Sequence, residues 1–235
     1  MPNGMLYLNF NPTGDLLKAT RECEQDVFLQ AFGNTKTQLE EEYGPYDNQS
    51  VFISVSDETG YVIGEMRIIF NGPAGLKTLN DVAGPTWNLD GARALHALGF
   101  NENRTWDIAT LGVRKEYRKT ALMVSLAIYH ASIMAVNAND VDVSITILDD
   151  KVAALLDMIG MPWYCMPGGF SAPYLGSAAS TPFYTGTAAG MERIKRENPE
   201  GYKLLIQGQG LTDIILPHPD SYLLPAYLTH RNKAA

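Results

Sequence analysis

Four cations, Arg114, Lys115, Arg118 and Lys119, crowd one short stretch in which Glu116 is the single acid. They stand where a β-rich run, 105–113, gives way to a long apolar helical pattern. A helix N-terminus carries partial positive charge, so cations there are unfavourable unless an anion is bound. The free N–H groups of a first helical turn can themselves hold a phosphate. In a chain of net charge −8 the cluster reads either as the seat of a phosphate-bearing ligand or as a solvated basic helix face. Cys23 and Cys165 have no metal-ligand spacing and the chain has four histidines, so no metal site is expected. Both thiols are read as free and buried, and His130, in mid-helix, as a core residue.

The surrounding pattern predicts the elements that must hold this junction. Thr13 or Asp15 can cap a first helix that Gly33-Asn34 ends. An acidic run, Glu40-Glu41-Glu42, leads into 43–48, which reads as a turn. The runs 51–56 and 61–70 form a hairpin, and Gly64 in the second marks a bulge or a close backbone approach. A short helix spans 89–98, a strand 105–113, the longest helix 116–136, and a second strand 141–148. Asp149 or Asp150 caps a helix closed by Gly160. A strand is expected over 161–166, irregular structure over 167–187, a helix over 191–197 and a last strand over 211–216. The order predicts an α/β (α+β) protein with a mixed, mostly antiparallel sheet flanked by helices. One domain over 1–216 and an extended tail over 217–235 are expected.

Hydrophobic residues make up 46% and charged residues 19% of the chain, which supports a sizeable core and excludes a disordered, collagen-like or coiled-coil protein. The acidic balance argues against a nucleic-acid partner. The start, MPNGMLYLNF, lacks the pattern of a signal peptide. The longest apolar stretch, 121–136, is shorter than the roughly 20 residues of a membrane span. A cytoplasmic, reduced protein with no membrane span is the expectation, and the oligomeric state stays open.

The segment 113–126 resembles the acyl-donor loop of the GCN5-related N-acyltransferase (GNAT) superfamily, in which a strand ending in Val leads through a Tyr-Arg loop and two glycines into a long helix. Tyr117 and Arg118 match; the glycine positions fall on Lys119 or Ala121 and on Met123. The stretch 106–113 resembles the Trp-Glu-x-Ser-Arg-Phe-x-Val element of acyl-homoserine-lactone synthases. Tyr46-Asp47-Asn48 resembles their Tyr-Asp element, Gly64-Glu65-Met66-Arg67-Ile68-Ile69 their Gly-x-x-Arg-Leu strand, and Val27-Phe28 the end of their first helix. That branch and the related N-acyl amino acid synthases carry a fatty acyl chain from acyl carrier protein or CoA to an amine. Three positions depart from it: Asp107 replaces Glu, Thr110 replaces the strand Arg, and Glu24 replaces the Arg before Val-Phe. These departures point to an amine acceptor other than S-adenosylmethionine.

The resemblance implies a GNAT-like fold and a reaction in which an amine attacks a thioester. The amine must lose a proton, the oxyanion needs a donor and the thiolate must be protonated. Acyl-ACP or acyl-CoA is the implied donor, with long-chain acyl-ACP favoured, with no metal, and with acyl carrier protein a candidate partner that would dock on the basic cluster. Leu111, Gly112, Val113, Arg114, Arg118, Lys119, Thr120 and Ala121 are the implied donor contacts. Asp107 and Glu65 are candidate bases, with an Asp107–Arg67 ion pair the competing role for Asp107. Asp47, Arg67, Trp106 and Thr110 are expected to shape the acceptor site, and Ser144 and Thr146 to wall the acyl tunnel or belong to an ordinary half-buried strand. Leu156 stands where the superfamily often has a Tyr acid; Tyr164, Tyr174 and Tyr184 are the available phenols, with Tyr164 preferred. The alternatives are a short-chain acetyl-CoA-dependent N-acetyltransferase and a non-catalytic ligand-binding module.

Overall fold

A computed structural model gives the fold and describes residues 4–117, 120–225 and 228. The strands are β1 (Leu6–Phe10), β2 (Ser50–Ser56), β3 (Val62–Phe70), β4 (Thr105–Val113), β5 (Val143–Asp149), β6 (Tyr164–Cys165), β7 (Ala172–Tyr174), β8 (Ser177–Gly186) and β9 (Ile214–Ile215). The helices are α1 (Gly14–Phe32), α2 (Lys36–Tyr43), α3 (Lys77–Val82), α4 (Gly91–Ala97), α5 (Ala121–Ala138), α6 (Asp150–Met158), α7 (Thr187–Glu197) and α8 (Pro199–Leu205). The sheet runs β6-β8-β5-β4-β3-β2-β1-β9, with β7 on β8. Its ladders are antiparallel except β4–β5 and β1–β9, so the expected mixed, mostly antiparallel α/β sheet is what the chain forms.

The period of two along β2 and β3 sorts the core. Val51, Ile53, Met66 and Ile68 face α5, where they meet Val124, Ala127, Ile128 and Ala131. Arg67 and Ile69 face the opposite side, toward α1 and α2. Apolar on nearly every side, α5 is a core helix, with Leu122 and Met123 of its first turn left exposed. Gly64 does both things its position in a strand suggested. The β2–β3 register shifts beside it, and a Cβ there would lie 2.7 Å from Val124 Cγ1. Gly64→Ala should therefore cost about 1–3 kcal/mol by overpacking, read as a lower urea midpoint at unchanged slope.

Several expectations change. The stretch 167–187 is not irregular: β7 and the ten-residue β8 lie in it, and β8 is long because β5 pairs with it from Val143 to Asp149. The acidic run belongs to α2, which a capping box between Thr35 and Gln38 starts, and a 3₁₀ turn, Gly44–Gln49, follows. β1 and α3 are additional elements. The helix expected to be the longest starts later, at Ala121, after a 3₁₀ turn at Lys115–Tyr117, and at 18 residues is one shorter than α1. The C-terminal segment is no free tail through residue 224. Asn139 donates to the Tyr222 carbonyl (2.8 Å) and accepts from the Leu224 N–H (2.9 Å), which seats both side chains in the core. Cys23 is buried as expected, whereas Cys165 is exposed on the short β6.

Candidate active site

β4 positions the site by breaking its ladders on both sides. Against β3 it carries a bulge: Ile68 pairs with Ile108 and Arg67 with Thr110, so Ala109 is the extra residue. Against β5 it pairs only over Thr105–Asp107, and beyond Asp107 the two strands part. A bulge bends its strand and raises its twist, which drives such a divergence. The Ile108 carbonyl at the apex is taken by the Thr146 hydroxyl at 2.7 Å. The Ala109 carbonyl has the Tyr43 hydroxyl at 3.5 Å.

The divergence opens a mainly apolar cleft of about 130 Å³. Its walls are Ile108 to Leu111 of β4, Thr146 to Leu148 of β5, Phe28 of α1, Tyr43 of α2, Tyr129 of α5, and Tyr174 of β7. A second cavity of about 60 Å³ shares Ile108, Tyr129 and Trp163 with it and is lined by Ser144. Ser144 and Thr146 thus face successive chambers. Trp106 packs into the core instead, and neither chamber includes it.

Behind β4, on the α1 side, lies a charged cavity of about 540 Å³ lined by Lys18, Arg21, Glu24, Lys36, Asp47 and Arg67, among others. Arg67 forks onto Glu24 (2.7 and 3.0 Å) and reaches Asp47 (2.9 Å), which also holds Arg21 at 2.8 Å. Thr110 Oγ lies 2.8 Å from Glu24 and 3.1 Å from Glu65, and accepts the Arg67 N–H at 3.2 Å. One hydroxyl proton cannot serve two carboxylates. Burial, then the charge of Glu24, pushes Glu65 well above the carboxylate range. Glu65 therefore keeps its proton and donates to Thr110, which donates to Glu24. Two of the departures from the synthase pattern, Glu24 and Thr110, are hydrogen-bonded partners and form one linked change. A protonated Glu65 is a poor resting base and a good proton store.

Asp107 is fully buried and lines neither chamber. It accepts from the Thr78 N–H at 2.5 Å and the Thr78 hydroxyl at 2.8 Å, fixing the first turn of α3. Burial pushes its carboxyl up to about 7. Its partner is Thr78, and the expected ion pair with Arg67 does not form, because Arg67 is satisfied by Glu24 and Asp47. Tyr164 is exposed, takes Arg193 on its hydroxyl at 2.8 Å and lies off the cleft. Tyr174 does face the cleft, but it donates to Asp81 and receives Lys77 at 3.3 Å. Tyr43, read from sequence as part of a turn, is the cleft phenol that this reading missed. The Thr35-x-x-Gln38 capping box was the signal that a helix would carry it inward.

The basic cluster is divided. Arg114 turns to the α1 side, where it binds Asp26, donates to the Val62 carbonyl at 2.9 Å and stacks on Tyr61 at 4.9 Å. It is spent on the fold, which corrects its expected place among free phosphate contacts. Gly112 faces the same side: a Cβ there would meet Val27 Cγ1 at 2.4 Å, so its glycine answers helix packing. Arg118 and Lys119 lie outside the described residues. Thr120 gives α5 no side-chain cap, its hydroxyl donating to the Tyr117 carbonyl at 3.1 Å.

No protein-family model matches the sequence, and no curated protein sequence matches it. Solved structures do. A CoA-dependent acyl-homoserine lactone synthase, BjaI, with SAM and isopentyl-CoA, superposes with a TM-score of 0.61 at 13% identity over 94% of this chain and 97% of that one. FeeM, an N-acyl amino acid synthase from uncultured soil microbes, gives 0.62 at 10% identity over 81% and 96%. The acyl-homoserine lactone synthase LasI gives 0.54 at 12% over 84% and 96%. At such identities the likeness is one of fold. The chain thus has the fold that these acyl-homoserine lactone synthases and this N-acyl amino acid synthase share.

Proposed function

We propose that this chain is an N-acyltransferase that moves an acyl group from a CoA or acyl-carrier-protein thioester onto the amine of a small acceptor such as an amino acid. The observation that carries the reading is the apposition of two unlike cavities on either side of Phe28, Leu39 and Tyr43. One is an apolar cleft bordered by strand edges that the ladders leave open. The other is a charged cavity with buried Glu24 and Arg67 in its wall. An acyl chain suits the first, since its burial releases roughly 0.8 kcal/mol per methylene. A zwitterionic acceptor suits the second: Lys18, Arg21 and Lys36 can hold a carboxylate, and Glu24 and Asp47 an ammonium group. Arg21 Nε is buried there without a partner, a vacancy that an acceptor carboxylate would fill.

The chemistry assigned to the chain follows from that layout. The backbone of 111–113 and the bulge supplies amide contacts to the thioester arm. Glu24, the end of the Glu24–Thr110–Glu65 chain that faces the charged cavity, takes up the proton that the acceptor releases on attack, while the protonated Glu65 holds Thr110 in place. Acyl-CoA is the donor to test first, because Arg114 is withheld from the basic cluster that an acidic carrier protein would use.

The test is thiol release and mass spectrometry with acyl-CoAs from acetyl to dodecanoyl and a panel of amino acids, repeated with acyl-ACP. A new N-acyl amine is expected. Ala109→Phe, which fills the cleft at the bulge, should raise the donor KM at least tenfold with the thermal midpoint nearly unchanged. Absence of any acylated amine across both donor sets would overturn the proposal.

A further inference from the structure

The geometry points to Tyr43 as a catalytic residue: its hydroxyl donates a hydrogen bond to the carbonyl oxygen of the thioester held at the β4 bulge. This rests on the acyl-transfer reading above and adds to it a group that no sequence motif marks.

The first ground is position. Tyr43 lines the apolar cleft, while Arg67, which lines the charged cavity, lies over its ring at 5.0 Å. With Phe28 and Leu39 it forms the layer that separates the two spaces. A bond between a group in one cavity and a group in the other must form beside this layer.

The second ground is an unmet hydrogen bond. Tyr43 is 2% exposed, and among the described residues the one acceptor that its hydroxyl meets is the Ala109 carbonyl at 3.5 Å. An O–H···O bond normally spans about 2.5–3.0 Å, and a buried donor left so loosely held is costly. The other hydroxyl of this region that caps a β4 carbonyl, Thr146, does so at 2.7 Å. Of the other two phenols of the cleft, Tyr174 is already committed to Asp81 and Lys77, and Tyr129 stands on the α5 wall, away from the layer between the two cavities. Tyr43 alone of the three has its hydroxyl beside a carbonyl of the β4 bulge.

The third ground is rigidity. Arg67 at 5.0 Å and Lys77 at 5.1 Å pack their charges against the ring, and both cations are fixed by carboxylates. Burial, with Glu24 next, holds the phenol well above its ordinary range. A phenol so held keeps its proton and acts as a fixed donor, not as the acid that protonates the thiolate.

The acceptor's ammonium group first gives one proton to water; the neutral amine nitrogen then attacks the thioester carbon and the C=O π pair moves to oxygen, where Tyr43 and the bulge amides meet it. Collapse restores the C=O bond and breaks the C–S bond. The proton lost by the amine ends on the leaving sulfur after passage through the carboxyl network or water. A donor aimed at the developing oxyanion commonly contributes a factor of about 10²–10³ in kcat.

The experiment is infrared difference spectroscopy of [1-¹³C]octanoyl-CoA bound to the full chain, paired with steady-state kinetics, for the native protein and Tyr43→Phe. The Phe variant keeps the ring and its cation contacts, so its urea midpoint should not move. Expected are a bound thioester carbonyl band shifted to lower frequency, reversal of most of that shift in Tyr43→Phe, and a roughly hundredfold lower kcat with donor KM within threefold. An unchanged band in the variant overturns the assignment, even where transfer is observed. A Tyr43-dependent band without acylation of any amine upholds the carbonyl contact and removes the transferase reading. Failure of octanoyl-CoA, and of octanoyl-ACP in its place, to bind either protein overturns both.

Discussion

Arg67→Met should destabilise the protein by about 3–5 kcal/mol, the usual cost of removing one partner of a buried ion pair. Arg67 is 4% exposed and its guanidinium serves two carboxylates. Without it, Glu24 keeps only Thr110 while remaining 2% exposed. An isolated carboxylate in that position must either take a proton or drag water into the sheet face. The double variant Arg67→Met/Glu24→Leu removes both charges and should recover most of the loss, because a paired buried charge is about neutral against an apolar replacement. Arg67→Lys should fall between the extremes, since an ammonium cannot make the forked contact with Glu24. Urea unfolding at neutral pH reads all three. A loss below about 1 kcal/mol for the single variant would mean that the cluster is solvated and not the buried network described above.

The second large effect is a fall in stability as pH rises from 5 to 8, carried by Asp107 and Glu65. Burial pushes Asp107 to about 7, against an ordinary value near 3.9. The folded state therefore binds the proton more tightly than the unfolded state does. The stabilisation this provides is complete below about pH 4 and is lost as pH climbs through 7. A shift of about three units corresponds to at most about 4 kcal/mol. Glu65 is displaced in the same direction and adds to the slope over the same window. His130 works in the opposite sense, because burial lowers its affinity for a proton, so the informative quantity is variant minus wild type. Asp107→Asn keeps an acceptor for the Thr78 N–H and can receive the Thr78 hydroxyl reversed. It should remove at least about 1 kcal/mol of the loss between pH 5 and 8, and Asp107→Asn/Glu65→Gln should remove more. Identical pH profiles for wild type and both variants would show that neither carboxyl is buried in the way described.

The local elements were legible where the signal is itself local. The β2–β3 hairpin, β4 and α6 with its Asp149 cap and Gly160 stop follow from alternation, turn residues and capping chemistry. β8 was not, because its Ser, Ala, Gly and Pro residues carry little strand propensity of their own and dilute the signal of Thr181, Phe183, Tyr184 and Thr185. Pairing with β5 on one side and with β6 and β7 on the other decides its state, and sheet context overrides propensity. Asp47 and Arg67, which line the charged cavity, were singled out through their motif, whereas Tyr43 was hidden in a segment that reads as a turn.

By itself the sequence determined the unit that borders the cleft, a strand at 105–113 running into a long apolar helix. It also determined the small set of buried carboxyls and cations from which a charged cluster could be made. Only the tertiary structure decided who meets whom. Glu24 finds Thr110, Arg114 finds Asp26, and Tyr43 approaches Ala109, each across more than sixty residues of chain. Those meetings are fixed by the β3–β4 register and by one extra residue at the bulge. A one-residue shift in register would turn every one of these side chains to the other face of the sheet, and no local spacing of residue types records which register the folded chain adopts.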